Sequence, residues 1–250
     1  MRCTPPSRPR GSVRAARPGP LPFLLLALAA CATPPPPDAP ASPPFALPAA
    51  ERAAGFEVLF DGGGLDAFRG HRSDVVPPGW QVAAGAIYFD GRRFAPDLLT
   101  RERYASFELV LEWRAAPDAN SGILFHVTED HRDTWESGPE FQILDDESDP
   151  LHRTGANYAL HPPALEAAPA GGDGWNEARI VVRGPRVEHW HNGTRVVVYE
   201  LGSADWEARV ARSKFDWMPD YGRAAEGHVA LQAHGSPVWF RNVRIRRLAP

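Results

Sequence analysis

Cysteine is nearly absent from this chain, with two in 250 residues. That is too few for the disulfide frameworks that hold small secreted domains together. Lysine is scarcer, since Lys214 is the only one against 26 Arg. A GC-rich genome accounts for that imbalance without any function. No apolar run reaches the roughly 18 residues of a spanning helix, which argues against a helical multi-pass membrane protein. Basic charge is also short. The formal net charge is −4, and Arg2, Arg8, Arg10, Arg14 and Arg17 all lie in the first 20 residues with no acid among them. The remainder carries 22 basic and 31 acidic residues, a balance of −9. A nucleic-acid partner is therefore not expected. What is present is core-forming material: 43% hydrophobic residues and eight Trp, which removes the disordered and low-complexity classes.

Proline is plentiful but uneven. Fourteen of the 27 lie in residues 1–50. The basic segment is followed by an apolar stretch, Leu21 to Ala30, and then by Cys31. That order predicts a secretory signal over residues 1–30. Leu28-Ala29-Ala30-Cys31 looks like a bacterial lipoprotein signal, in which processing leaves a lipidated Cys31 as the new N-terminus. Residues 31–54 then read as a Pro- and Ala-rich tether. The expected place is the bacterial cell envelope, in the periplasm or at the cell surface, with membrane contact through the lipid anchor only.

Residues 55–250 read as one domain whose period is two. Phe107, Leu109, Leu111 and Trp113 alternate with mostly charged neighbours, the pattern of a half-buried strand. Trp80 to Phe89 reads as a hairpin around Ala84-Gly85. Further strands are expected at Ile123–Val127, Glu140–Leu144, Arg179–Arg183, Val187–His191, Arg195–Glu200, His228–Gln232 and Val238–Ile245. Asn192-Gly193 is a strong hairpin signal, since a type I′ turn needs two residues at positive φ. About ten strands without βαβ alternation predict an all-β, two-sheet antiparallel sandwich.

Several segments, in order from Phe56 to Leu248, carry a family resemblance. They include Phe60-Asp61-Gly62, Leu98-Leu99-Thr100, Asn120-Ser121-Gly122-Ile123, Gly138-Pro139-Glu140-Phe141-Gln142-Ile143-Leu144-Asp145, Gly174-Trp175-Asn176 and Leu231-Gln232-Ala233-His234-Gly235. The chain resembles the 3-keto-disaccharide hydrolase family. The resemblance implies a concanavalin-like jelly roll with a sugar site on the concave face of one sheet. It also implies an envelope protein of carbohydrate metabolism acting on sugars oxidised at C3. Two positions depart from the family pattern: Ala233 and Ala159 stand where that pattern carries Asp.

The strongest local constellation is Glu140 to Asp145. On a regular strand Glu140 and Gln142 share one face while Phe141 and Ile143 point into the core, and a bulge would return Asp145 to the polar side. The spacing resembles the paired carboxylates of laminarinase-like glucanases, although Gln142 replaces the central acid. Alternation puts His126 opposite Ile123, Phe125 and Val127, and puts His228, Gln232 and His234 on one polar face. The candidate catalytic groups are Glu140, His126, Asp145, His234 and Arg241. Asn120, Trp135, Gln142, Tyr158 and Lys214 are candidates for holding the sugar, by hydrogen bonds or an aromatic face. Trp175 and Trp217 could also stack on a sugar. His189 and His191 share a strand face beside the Asn192-Gly193 turn, and an exposed hairpin tip is expected there rather than a metal site. Asp145-Asp146-Glu147 with Asp149 reads as a solvated acidic loop before a hard-cation site. There is no His-Glu-x-x-His and no phosphate-cradling loop.

A ketone at C3 acidifies the C2 hydrogen and places the C1 bond β to the carbonyl. Proton removal then allows elimination of the C1 alcohol, and water can add back. The chemistry needs a base (His126 or Glu140), an electrophile for the enolate (Arg241 or a divalent cation) and a donor to the leaving group (Asp145 or His234). Two other readings stay open: a carbohydrate-binding lipoprotein without activity, and a direct glucanase-like hydrolase. Convergence of Glu140, Gln142, His126 and His234 in one pocket would favour catalysis.

Overall fold

The computed structural model describes residues 44–144, 149–164 and 174–250. The expected signal, Cys31 and residues 145–148 lie outside these. Among the described residues there are thirteen strands: β1 (Glu57–Phe60), β2 (Phe68–Gly70), β3 (Trp80–Ala83), β4 (Ala86–Asp90), β5 (Leu98–Thr100), β6 (Phe107–Ala115), β7 (Asn120–Val127), β8 (Glu140–Leu144), β9 (Asn176–Arg183), β10 (Arg186–His191), β11 (Thr194–Glu200), β12 (His228–Leu231) and β13 (Pro237–Arg247). Two short helices, α1 (Ala49–Ala53) and α2 (Ala204–Val210), complete the set with a 3-10 turn at Thr134–Glu136. No helix among the described residues is long and apolar enough to cross a membrane.

The strands make two antiparallel sheets. One runs β11-β10-β9-β6-β13-β4-β3 with β1 also paired to β13, and the other runs β2-β5-β12-β7-β8. The expected sandwich is the observed one. Phe107, Leu109 and Leu111 of β6 meet Ile123 and Phe125 of β7 and Phe141 and Ile143 of β8 in a single apolar core. The charged alternates of β6 face outward. Glu108 pairs with Arg179 and Arg246, and Glu112 pairs with Arg241. Both predicted hairpins form. Asn192 and Gly193 have φ of 47° and 77°, as the expected type I′ turn requires, and Ala84 and Gly85, at 50° and 75°, share that left-handed conformation.

The sequence undercounts strands because β1, β2 and β5 are only three or four residues long, too short to display alternation. One register event matters more. His228 pairs with Val127 and Ala230 with Leu124, so Phe125 and His126 together face the single residue Val229. This is a β-bulge, and His126 carries its left-handed φ of 52°. The bulge keeps His126 on the core side, edge-on to Phe107 and Phe125. Val127 moves to the outer face with Leu99, Leu124 and Ala230. Gly227 must lack a side chain here, because a Cβ would overlap the His126 backbone.

His189 and His191 also differ from the expected exposed tip. His189 is fully buried, bonded from Nδ1 to the Gly155 carbonyl at 3.0 Å and packed on Phe141. His191 is buried and stacked on Trp113. Their face of β10 is the core face, and burial lowers both pKa values to about 4. They are neutral packing residues at neutral pH.

Candidate functional site

The outer face of the five-stranded sheet, away from the core, carries the site. Pairing of β7 with β8 sets Gly122 opposite Gln142 and Leu124 opposite Glu140. Directly opposed residues share a face, so Glu140, Gln142, Asn120 and Gly122 lie together. Gln232 follows β12, and its backbone N–H donates to the Gly122 carbonyl at 3.0 Å. Asn120, Trp135, Glu140, Gln142, Tyr158, Lys214, Gln232 and His234 line one cavity of about 230 Å³.

Each loop residue has an anchor. Trp135 sits in the 3-10 turn, whose start is closed by reciprocal bonds between Asp133 and Glu136; its ring packs on Leu99, Leu124, Val127 and Ala230. Tyr158 follows Asn157, which bridges to Phe141, and the Tyr158 N–H donates to the Glu140 carbonyl at 3.1 Å. Ala159 holds φ 59°, a left-handed conformation that Asp tolerates better than Ala. Lys214 comes from the segment after α2. Ser203 caps that helix by accepting from the Trp206 N–H at 3.2 Å. Buried Trp206 stacks on Tyr199 and Tyr221, and Tyr221 on Phe215. The Lys214 ammonium lies 4.3 Å from the Tyr158 ring centroid and 5.0 Å from that of Trp135.

Glu140 is 5% exposed. Burial pushes its pKa up to about 8, with Asp97 adding to the rise, while the Lys214 charge and a Gln232 hydrogen bond oppose it. Lys214 moves the other way: burial lowers it and Glu140 opposes. Both shifts follow from desolvation disfavouring charge. The amide oxygens Oε1 of Gln142 and of Gln232 are buried with no partner, although the Gln142 Nε2 donates to Asn120 Oδ1 at 3.1 Å. Orphan acceptors are costly, and in a cavity they suit hydroxyl donors of a ligand.

A second, larger cleft of about 770 Å³ shares Trp135, Gln232 and His234 with the first. Asp97 lies in it. Thr134 Oγ1 donates to Asp97 Oδ2, and the Ala233 N–H donates to Oδ1 at 2.7 Å. The residue keeps some exposed surface while its carboxyl is enclosed, and burial raises its pKa to about 6. A carboxylate thus stands against Ala233 after all, supplied by Asp97. Sequence reasoning missed Asp97 because it precedes a three-residue strand and no pattern marks its side.

Of the sequence candidates, Glu140, Gln142, Asn120, Trp135, Tyr158, Lys214 and His234 come together. His126 does not. The bulge holds it on the core side, where its Nε2 donates to the Ala105 carbonyl at 2.7 Å and it borders a separate cavity with Gly184 and Gly222. Arg241 does not either. It lies on the outer face of the eight-stranded sheet, bonded to Glu112 at 2.7 Å and 4.0 Å over the Trp175 ring, so Trp175 is outside the site as well. Trp217 is 64% exposed and borders neither cavity. His228 donates from Nδ1 to the Thr100 carbonyl at 2.8 Å, outside both cavities. Asp145, with most of the acidic loop, lies outside the described residues. Among the described residues no three His, Cys, Asp or Glu side chains are grouped to hold a metal ion.

The chain is 31% identical over 231 residues to the 3-keto-disaccharide hydrolase of Bacteroides thetaiotaomicron, covering 78% of this chain and 79% of that protein. A solved structure from Parabacteroides distasonis, described provisionally as a glycosyl hydrolase, is 31% identical with TM-score 0.75. It is covered completely by 82% of this chain. A second structure from the same organism, 24% identical with TM-score 0.60 over 77% of this chain and 99% of its own, shares the fold. The family described as "3-keto-alpha-glucoside-1,2-lyase-like domain" matches residues 55–246, a span that holds both sheets and every residue lining the Glu140 cavity, and the chain belongs to that family.

Proposed function

We propose that this protein cleaves the glycosidic bond of 3-keto-disaccharides and related 3-keto-glycosides by elimination and rehydration. The carrying observation is the Glu140 carboxyl, buried yet lining an open cavity beside the Lys214 ammonium and two unpartnered amide oxygens. A carboxylate with pKa near 8 is a stronger base than one in water. It takes the proton from C2, the C2–H electrons form the enolate, and the enolate oxygen at C3 is stabilised by Lys214. That is the place first given to Arg241. Collapse of the enolate breaks the C1–O bond and leaves a C1–C2 double bond conjugated to the ketone. His234 gives the departing alkoxide its proton. Water then adds at C1, giving its proton back to His234, and Glu140 returns a proton to C2. Three of the four residues expected to converge do so, which favours catalysis over simple binding. The orphan amides of Gln142 and Gln232 take sugar hydroxyls, and Trp135 or Tyr158 offers an aromatic face.

The test is the kinetic isotope effect on single turnover of a 3-keto-disaccharide deuterated at C2. Elimination breaks the C2–H bond, so the deuterated substrate should be cleaved several-fold more slowly than the protiated one; equal rates would mean direct displacement. An ordinary disaccharide should stay intact, because without the ketone its C2–H is not acidic.

The same reading keeps the domain in the cell envelope, tethered by lipidated Cys31. Cys31→Ser should move the protein from the membrane fraction to the soluble fraction without change in kcat/KM. An unchanged membrane fraction would refute the anchor.

A further inference from the structure

The larger cleft beside the Glu140 cavity is ringed by Arg72, Arg93 and Arg132. The loops after β2, before β5 and after β7 bring them to one place in a chain whose balance beyond its first 20 residues is strongly acidic. Most other arginines of the domain are engaged: Arg69, Arg179, Arg223, Arg241, Arg244 and Arg246, for example, each hold a carboxylate. Among the described residues the three cleft guanidinium groups hold none. The carboxylates of the cleft are already occupied. Asp97 accepts from Thr134 and Ala233, and the Asp133 side chain accepts from the Glu136 backbone. Glu129, behind Arg72, is held by both nitrogens of Arg69 and by the Arg72 backbone N–H. The cleft therefore presents three guanidinium groups that form no ion pair among the described residues, with the Asp97 and Asp133 carboxylates of its lining turned to neutral donors. Phe94, fully exposed at the rim, adds an apolar face of the kind that stacks on a pyranose.

We propose that this cleft is the subsite for the leaving half of the substrate, and that it selects a leaving group bearing an anion, a carboxylate or a sulfate or phosphate ester. The inference rests on the function proposed above, because the cleft shares Trp135, Gln232 and His234 with the Glu140 cavity and so adjoins the bond to be broken. Guanidinium groups suit such ligands through paired N–H donors on two oxygens. The same cleft explains why His234, exposed and common to both cavities, stands where a departing alkoxide would emerge.

The test is calorimetric titration of the full chain with methyl glucuronide, glucose 6-phosphate and methyl glucoside, at low and at 0.5 M salt. At least one anionic ligand should bind about tenfold or more tightly than the neutral glucoside, and added salt should erase most of that preference by screening exposed charges. The glucuronide and phosphate arms tell a carboxylate site from an ester site. Arg93→Ala combined with Arg132→Ala should abolish the preference while leaving kcat/KM on a neutral 3-keto-disaccharide within about threefold. Equal affinity for all three ligands, or a preference that survives in the double variant, would overturn the proposal. Binding needs no turnover, so these outcomes are independent of the chemistry at Glu140. Cleavage of no 3-keto-glycoside would instead overturn the proposed function and leave the anion preference standing.

Discussion

Glu140→Gln loses at least about 10³-fold in kcat/KM on a 3-keto-disaccharide, within the range for removing a positioned general base, and becomes more stable than the parent at alkaline pH. The two effects have one cause. The cavity that makes Glu140 a strong base raises its pKa from the ordinary 4.5 to about 8. Between those values the folded protein binds a proton that the unfolded chain has lost. Stability is therefore greatest below about pH 4.5 for this group and falls as pH rises through 8. Each pKa unit is worth about 1.4 kcal/mol, so the ionised carboxylate costs on the order of 5 kcal/mol once fully charged. Gln keeps the shape and removes the charge. The difference in Tm between the variant and the parent should widen by roughly 8–16 °C from pH 5 to pH 9, about 4 kcal/mol at the usual slope for a domain of this size. Activity of the parent should rise with pH to a plateau above about 8, as the carboxylate forms. Activity in Glu140→Gln within tenfold of the parent would remove Glu140 from the mechanism. A Tm difference that does not grow with pH would mean the carboxyl is not held neutral in the fold.

Gly122→Ala should reduce kcat/KM by about 10²-fold or more, since displacements near 1 Å at a reacting group have effects of that size. Gly122 pairs with Gln142 on the neighbouring strand, and the Glu140 side chain lies across it. A Cβ built at Gly122 would stand 2.8 Å from Glu140 Cγ and would overlap its carboxyl oxygen. The added methyl has to move the base. The backbone itself has no objection, because Gly122 is not among the glycines at positive φ, so the fold should survive with a loss of about 1–3 kcal/mol from overpacking. Combining Gly122→Ala with Glu140→Gln should cost little beyond Glu140→Gln alone, as expected when two changes act on one unit. Full activity in Gly122→Ala would mean that the observed position of the Glu140 carboxyl is not the working one.

Much of this molecule can be read from local pattern. Alternation along Phe107–Trp113 gives the inner and outer faces of β6, and Asn192-Gly193 and Ala84-Gly85 give two hairpins. Alternation also places Glu140 with Gln142 and puts Phe141 and Ile143 in the core, as found. These inferences succeed because they depend on the period of a strand and on the φ a turn demands, both properties of a few adjacent residues.

The failures are equally physical. Alternation assigns His126 to the site, and a bulge opposite Val229 turns it back to the core side. Nothing in Ile123–Val127 announces an extra residue, because the bulge exists only between two strands far apart in the chain. Arg241 is a plausible electrophile by chemistry, but β13 belongs to the other sheet, and the segment after α2 brings Lys214 to the cavity in its place. Asp97 is brought to Ala233 by the pairing of β5 with β12. By itself the sequence determined the fold class, the faces of the long strands and the Glu140–Gln142 pair, since each is set by neighbours along the chain. Which charges meet at the cavity, how far burial shifts Glu140, and which histidine stays outside were decided by tertiary structure alone. Those depend on register, strand order and desolvation, which exist only once the two sheets have closed.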